Sequence, residues 1–282
     1  MDNIKTDWGI EGCNAKGITN VGGLTGTTGT TETRILIDSG SMSGDLSLSD
    51  AVLHEVQYNR IWEIDLFRTI AILLMVIFHL VYDLNDYAGL KINYISGFWY
   101  WEGKVSALTF IFLAGISSGF SRNTIKRGIK VLVFAMAITA ATYIFNKDQY
   151  IQFGVLHFLG TCMLLFPFLK KVNNKALLIL AIAAALAAIP AKSIMAGTGL
   201  FIPLGIRYNG FATLDYYPLL PYISVFTLGI IAYKLFYYKK KSLFKFGYEN
   251  KYISAISRNS LAIYLIHQPV IIAVIFALKV IF

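Results

Sequence analysis

RIWEIDLFRTIAILLMVIFHLVYDLN, residues 60–85, decides how the rest of the chain reads. Its apolar run is long enough to enter a bilayer, yet Asp65 and Arg68 stand near one end and His79 and Asp83 near the other. On a helix turning about 100° per residue, Arg68 and His79 are separated by three turns and roughly 20°. Asp65, Arg68, Ile72, Met75, His79 and Asp83 therefore share one stripe. At about 1.5 Å per residue, Arg68 and His79 lie roughly 16 Å apart along the axis, about half the hydrocarbon thickness. Two readings fit the stripe. In one, Asp65 and Arg68 pair at the interface as i,i+3 neighbours while His79 snorkels to the other surface. In the other, all four face a protein-lined, wet interior, because ionisable groups are costly against lipid.

Composition agrees with a membrane protein. Of 282 residues, 56% are hydrophobic, and a mean hydropathy of +0.60 is too high for an ordinary soluble domain. A net charge of +9 invites a nucleic-acid reading, but its distribution excludes it. Residues 1–59 hold three Lys/Arg against eight Asp/Glu, and the remainder holds twenty-two against eight, gathered in short loops between apolar runs. That is a membrane topology signal. Cys13 lies in the polar tail and Cys162 in an apolar run, which predicts no disulfide, and no metal-ligand spacing occurs. Residues 1–20 lack an apolar core, so no signal peptide is expected.

Residues 1–59, with GGLTGTTGTTET and DSGSMSGDLSLSD, read as a disordered acidic tail without chemistry, and residues 60–282 as the membrane domain. Seven candidate spans follow at about 61–84, 105–121, 129–146, 153–169, 176–191, 217–238 and 257–281. The expected fold is all-α, a polytopic bundle of about seven transmembrane helices. Thirteen cations, among them Arg122, Lys126, Arg127 and Lys170, fall in one set of alternate loops and five in the other. By the positive-inside rule the amino terminus is cytosolic and the carboxyl terminus outside, with lipid as the surrounding partner and the cell membrane as the location.

This topology sorts polar residues by depth. Trp99, Tyr100 and Trp101 beside Glu102 and Lys104 read as an interfacial belt or as a stacking surface for a sugar. FLAGISSGF, with Gly115 and Gly119, is a close-packing run. SRNTIKRGIK carries Arg122 and Arg127 at a cytosolic helix end, either as topology determinants or as a phosphate site. His157 and Asp215 are placed at the depth of His79. Ser260, Tyr264, His267 and Gln268 recur at i, i+4, i+7 and i+8, a polar stripe for either a helix seam or a ligand, and Pro269 predicts a kink. The residues alone fit two functions. One is a reaction between a cytosolic anionic donor and an outer acceptor. The other is a proton-coupled transporter or exporter of a small polar solute with a His/Asp relay.

RIWEIDLFRTIAILLMVIFHLVYDL resembles the opening signature of the bacterial branch of the heparan-α-glucosaminide N-acetyltransferase catalytic-domain family. Its Arg-to-His spacing is also similar to the first-helix signature of the type-3 membrane acyltransferases. FGVLHFLG, DYYPLLPY and SLAIYLIHQP resemble later blocks of the same branch, so the likeness covers about 60–282. Thr69 departs from it, standing where Gly usually follows the Arg. The resemblance implies transfer of an acyl group, acetyl above all, from cytosolic acetyl-CoA to an amine or hydroxyl of an extracytoplasmic small molecule such as a sugar or glycan. It implies no metal and no nucleic acid. His79 is then the catalytic group and Asp83 the residue that orients it. His157 or Asp215 positions the acceptor, with His267 and Gln268 beside it, and Arg68, Arg122 and Arg127 hold the phosphates of CoA.

Overall fold

The computed structural model describes residues 61–246 and 250–281; the acidic tail expected over 1–59 lies outside the described residues. Helix α1 (Trp62–Asp86) runs for 25 residues. Phe67, Ile70, Leu73, Ile77 and Leu80, spaced three or four apart, are its exposed apolar residues, which in a span is the face turned to lipid. The opposite stripe points inward as its period predicts: Asp65, Ile72 and Asp83 are buried, and Arg68, Met75 and His79 are half-buried.

The seven expected spans correspond one for one to long helices. After α1 come α2 (Phe98–Ser118), α3 (Thr124–Phe145), α4 (Val155–Leu169), α5 (Asn174–Ala191) and α6 (Leu219–Ala232). α6 continues as a π-helical turn over Tyr233–Tyr237. The short α7 (Lys251–Arg258) leads into α8 (Ser260–Ile281), which runs on through Pro269. Side chains set several starts: Asn123, Asn173 and Asn250 each accept from backbone N–H groups in the first turn of α3, α5 and α7.

Five of these helices are long and apolar enough to cross a membrane, α6 counted with its π turn, so the chain is a multi-pass membrane protein. The other two differ for visible reasons. α2 carries Glu102 and Lys104 in its second turn. α4 has only 15 residues, but Leu156, Phe158, Leu159, Cys162 and Phe166 are all buried. It is this burial on several sides that places α4 inside the bundle.

α1 packs on α2, α7 and α8, α2 on α6, α3 on α4 and α5 on α6. Where α2 meets α6, Gly115 and Gly229 lie back to back. A Cβ on Gly115 would strike the carbonyl oxygen of Phe226, and one on Gly229 that of Phe112. FLAGISSGF is therefore the close-packing seam its small residues foretold. Among the described residues strand is nearly absent: β1 (Met195–Ala196) pairs in parallel with β2 (Arg207–Tyr208) inside the long α5–α6 connection.

Gly115→Val should force α2 off α6 and cost about 1–3 kcal/mol, the usual penalty of overpacking. It should melt earlier than wild type in detergent, whereas Gly197→Ala, with open space around it, should melt with wild type. Equal melting of all three proteins would show that the seam does not hold the bundle.

Candidate functional site

At the Asp83 end of α1 the helices enclose a cavity of about 310 Å³. α1 contributes Met75, Phe78 and His79 to its wall, and α2 contributes Lys104. Asp215 and Tyr217 enter from the α5–α6 connection and Tyr264 from α8. Residues far apart in sequence thus meet in one small, largely aromatic space.

His79 is backed by His267. The two imidazoles stand edge to face, with centroids 4.8 Å apart and planes inclined at 62°. His267 is buried, and its Nδ1 lies 2.7 Å from the carbonyl oxygen of Tyr264 one turn earlier. Nδ1 of His79 and Nε2 of His267 are sealed from solvent and have no hydrogen-bond partner among the described residues. Beside them, Asp83 is wholly buried and accepts from Nε2 of Gln268 through both oxygens, at 2.8 and 2.9 Å. The polar stripe of α8 is therefore both a seam to α1 and the back of the site.

Asp215 takes its place through α4. Its Oδ2 accepts from the N–H of Val155 at 2.9 Å, covering a donor left bare at the start of that helix. The fit requires Gly154, because a Cβ there would collide with the carboxylate. Tyr217 N–H donates to Phe153 O at 3.0 Å and fixes the same junction. Burial pushes the Asp215 carboxyl up to about 6, against the pull of the Val155 N–H and the Lys104 ammonium.

Lys104 is a site residue that sequence reasoning took for a loop charge. Its ammonium stands 5.7 to 5.8 Å from the ring centroids of Tyr100, Tyr217 and Tyr222 and donates to the Tyr222 hydroxyl at 3.1 Å. Such rings offset lost hydration and leave the charge pointing into the cavity. Tyr100 and Lys104 are i,i+4 on α2, a pairing visible in WYWEGK; the other two rings are not local.

His157 sits elsewhere. Its Nδ1 accepts from the N–H of Gly154 at 3.3 Å, and its Nε2 lies 3.2 Å from Thr139 Oγ1. That hydroxyl donates to Ile151 O at 2.7 Å, so Nε2–H is the donor to it. Both nitrogens are used, and the ring lies outside the cavity wall.

Arg68 also stands apart from the cavity. Its guanidinium donates to Ser257 Oγ at 2.7 Å and to Ser117 Oγ, and lies 3.6 Å from Asp65. Ser257 in turn donates to Asp65 at 2.7 Å. Thr69 joins this brace by donating to Asp65 O and approaching Ile253 O of α7. On α1 the cavity wall ends at Ala71, while on α2 it goes on to Phe110, one turn past Ser106. Buried Ala71 and Ile72, with Ser106 Oγ donating to Ala71 O at 2.9 Å, fill the space between Arg68 and His79. The single wet stripe expected from periodicity is thus a brace at one end and a cavity at the other. Arg122 and Arg127 are exposed at the brace end, just past α2.

His157→Ala should strand the Gly154 N–H, at about 1–3 kcal/mol for a partner left unsatisfied, while the Thr139 hydroxyl keeps its bond to Ile151 O. Thermal unfolding should come earlier, while activity per folded molecule stays near wild type. Loss of activity at unchanged stability would return His157 to the site.

The family model described as heparan-alpha-glucosaminide N-acetyltransferase, catalytic, matches residues 60–269. No curated protein and no solved structure matches the chain. The matched segment begins at the brace on α1 and ends just past His267 and Gln268, so it contains every element that builds the cavity. The chain belongs to the heparan-alpha-glucosaminide N-acetyltransferase catalytic-domain family, a family of membrane acetyltransferases.

Proposed function

We propose that this protein moves an acetyl group from acetyl-CoA to an amine or hydroxyl of a small extracytoplasmic acceptor such as a sugar. His79 acts as the general base. The observation that carries the reading is the placement of an imidazole on the wall of a cavity that also presents Asp215 and Lys104. A base, an acceptor of hydrogen bonds and a cation facing one space are what a polar nucleophile needs.

The step balances with this chain's own groups. The acceptor's N–H or O–H gives its proton to His79 as the heteroatom bonds to the thioester carbonyl carbon. The C–S bond then breaks, and the imidazolium returns the proton to the departing CoA sulfur. Asp215 and Lys104 orient the acceptor, and the aromatic wall of Tyr100 and Tyr217 excludes water. Arg122 and Arg127 take the donor's phosphates by charge-assisted bonds. Arg68, committed to Asp65, Ser117 and Ser257, holds α1 in place at that end. On the positive-inside count the Arg122 end faces the cytosol of a cell membrane and the cavity faces out.

Labelled acetyl-CoA supplied to proteoliposomes with candidate amino sugars tests the reading. His79→Ala should lower turnover by about 10² to 10⁴, the usual worth of a general base, while acetyl-CoA binding persists. Undiminished turnover would remove His79 from the chemistry, and solute flux without any acetyl transfer would favour a transporter. Asp215 supplies a pH signature. Its carboxylate accepts from the acceptor only when ionised, so the acceptor's KM should rise as pH falls through about 6. Asp215→Asn should have a high KM at every pH; a variant that keeps the wild-type pH dependence would exclude this role.

A further inference from the structure

We propose that His267 is a positioning residue for His79, fixing its tautomer through a relay that starts at the Tyr264 carbonyl. The inference rests on the acyl-transfer reading for its purpose, but its geometry is independent of it. A backbone carbonyl only accepts, so the 2.7 Å contact to Tyr264 O assigns the His267 proton to Nδ1. Nε2 of neutral His267 is then a bare lone pair. It is buried without a partner, as is Nδ1 of the His79 ring 4.8 Å away.

If His79 also carried a lone pair on Nδ1, two acceptors would be sealed in one dry space. With the proton on Nδ1, a donor faces an acceptor, and a modest turn of a soft ring torsion closes the hydrogen bond. That tautomer leaves the lone pair of His79 on Nε2, the nitrogen that addresses the cavity. His79 can then take the acceptor's proton at Nε2 while the Nδ1–H···Nε2 bond to His267 stabilises the imidazolium. No carboxylate is needed in the orienting position. Asp83, the residue spaced to fill it, gives both its oxygens to Gln268. His267 is buried behind His79 and forms no part of the cavity wall, so direct contact with the acceptor is not its role. The titratable groups that line the cavity with His79 are Tyr94, Tyr100, Lys104, Asp215, Tyr217 and Tyr264, and Asp83 and Glu102 are buried on α1 and α2.

Two measurements on the full-length protein decide it. The chain has four histidines, so ¹⁵N-histidine labelling with assignment by single substitution is tractable. His267 and His79 should both read as the Nδ1–H tautomer and His157 as Nε2–H. His267 with its proton on Nε2 overturns the relay whatever the protein catalyses. In the acetyl-transfer assay, His267→Leu should lower kcat by about 10²-fold and move its acid limb to lower pH, with the acceptor's KM little changed. His267→Gln, whose Oε1 can accept from Nδ1–H, should recover most of that loss. A folded His267→Leu protein with wild-type kcat and acid limb overturns the proposal while leaving acyl transfer intact. Wild-type protein that acetylates nothing removes the acyl-transfer reading, and the tautomer spectrum then decides the relay alone.

Discussion

An ionisable side chain in hydrocarbon must find a protein partner, and α1 turns four of them to one face. The bundle is arranged to meet that demand from both ends of the chain. Asp65 and Arg68 are answered by Ser117 of α2 and Ser257 of α7. Asp83 is answered by Gln268, and His79 is backed by His267, both on α8. The partners of the first membrane helix thus come largely from the last two helices. Removing one member of such a set leaves the other buried and unsatisfied, which costs more than the pair itself contributes. Closure of the bundle and assembly of the site are for this reason one event: α8 cannot dock on α1 without bringing His267 to His79.

Much of this was legible in the sequence because helical periodicity and apolar length are local properties. The stripe on α1, the seven helices and the close-packing run on α2 follow from spacing alone. The partners were not legible. Ser257 lies 189 residues from Arg68, and no local pattern distinguishes a serine that will meet a guanidinium from one that will not. Lys104 shows the division clearly: Tyr100 is one turn away on α2, but Tyr217 and Tyr222 reach it from another part of the chain. His157 shows how depth misleads. It was placed level with His79, yet Gly154 and Thr139 use both its nitrogens in a loop-and-helix junction. Equal depth is a statement about one coordinate, and a site needs three.

The same limit explains Arg68. Sharing a helix face with His79 says that both look into the bundle, not that they look into the same space. Between them Ala71 and Ile72 are buried, and Ser106 bonds to the Ala71 carbonyl, so α1 and α2 touch at that level. The chain therefore separates two tasks along one helix. The Arg68 half holds the fold with charges that neutralise each other, and the other half exposes an imidazole to a cavity.

That separation constrains how an acyl donor works on the proposed reading. With its phosphates at Arg122 and Arg127, the donor's thioester reaches His79 only by passing the level at which α1 and α2 touch. At the cavity's edge there stand Ala71, Ser106 and Ala107, with the Ser106 hydroxyl bonded to the Ala71 carbonyl and Phe110 one turn further along α2. Ala71, Ser106 and Ala107 leave little to displace between the helices, so on that reading the ring of Phe110 is the side chain the donor's arm has to pass. The brace of Asp65, Arg68, Ser117 and Ser257 lies immediately below that crossing and joins α1 to α2 and α7 at their base.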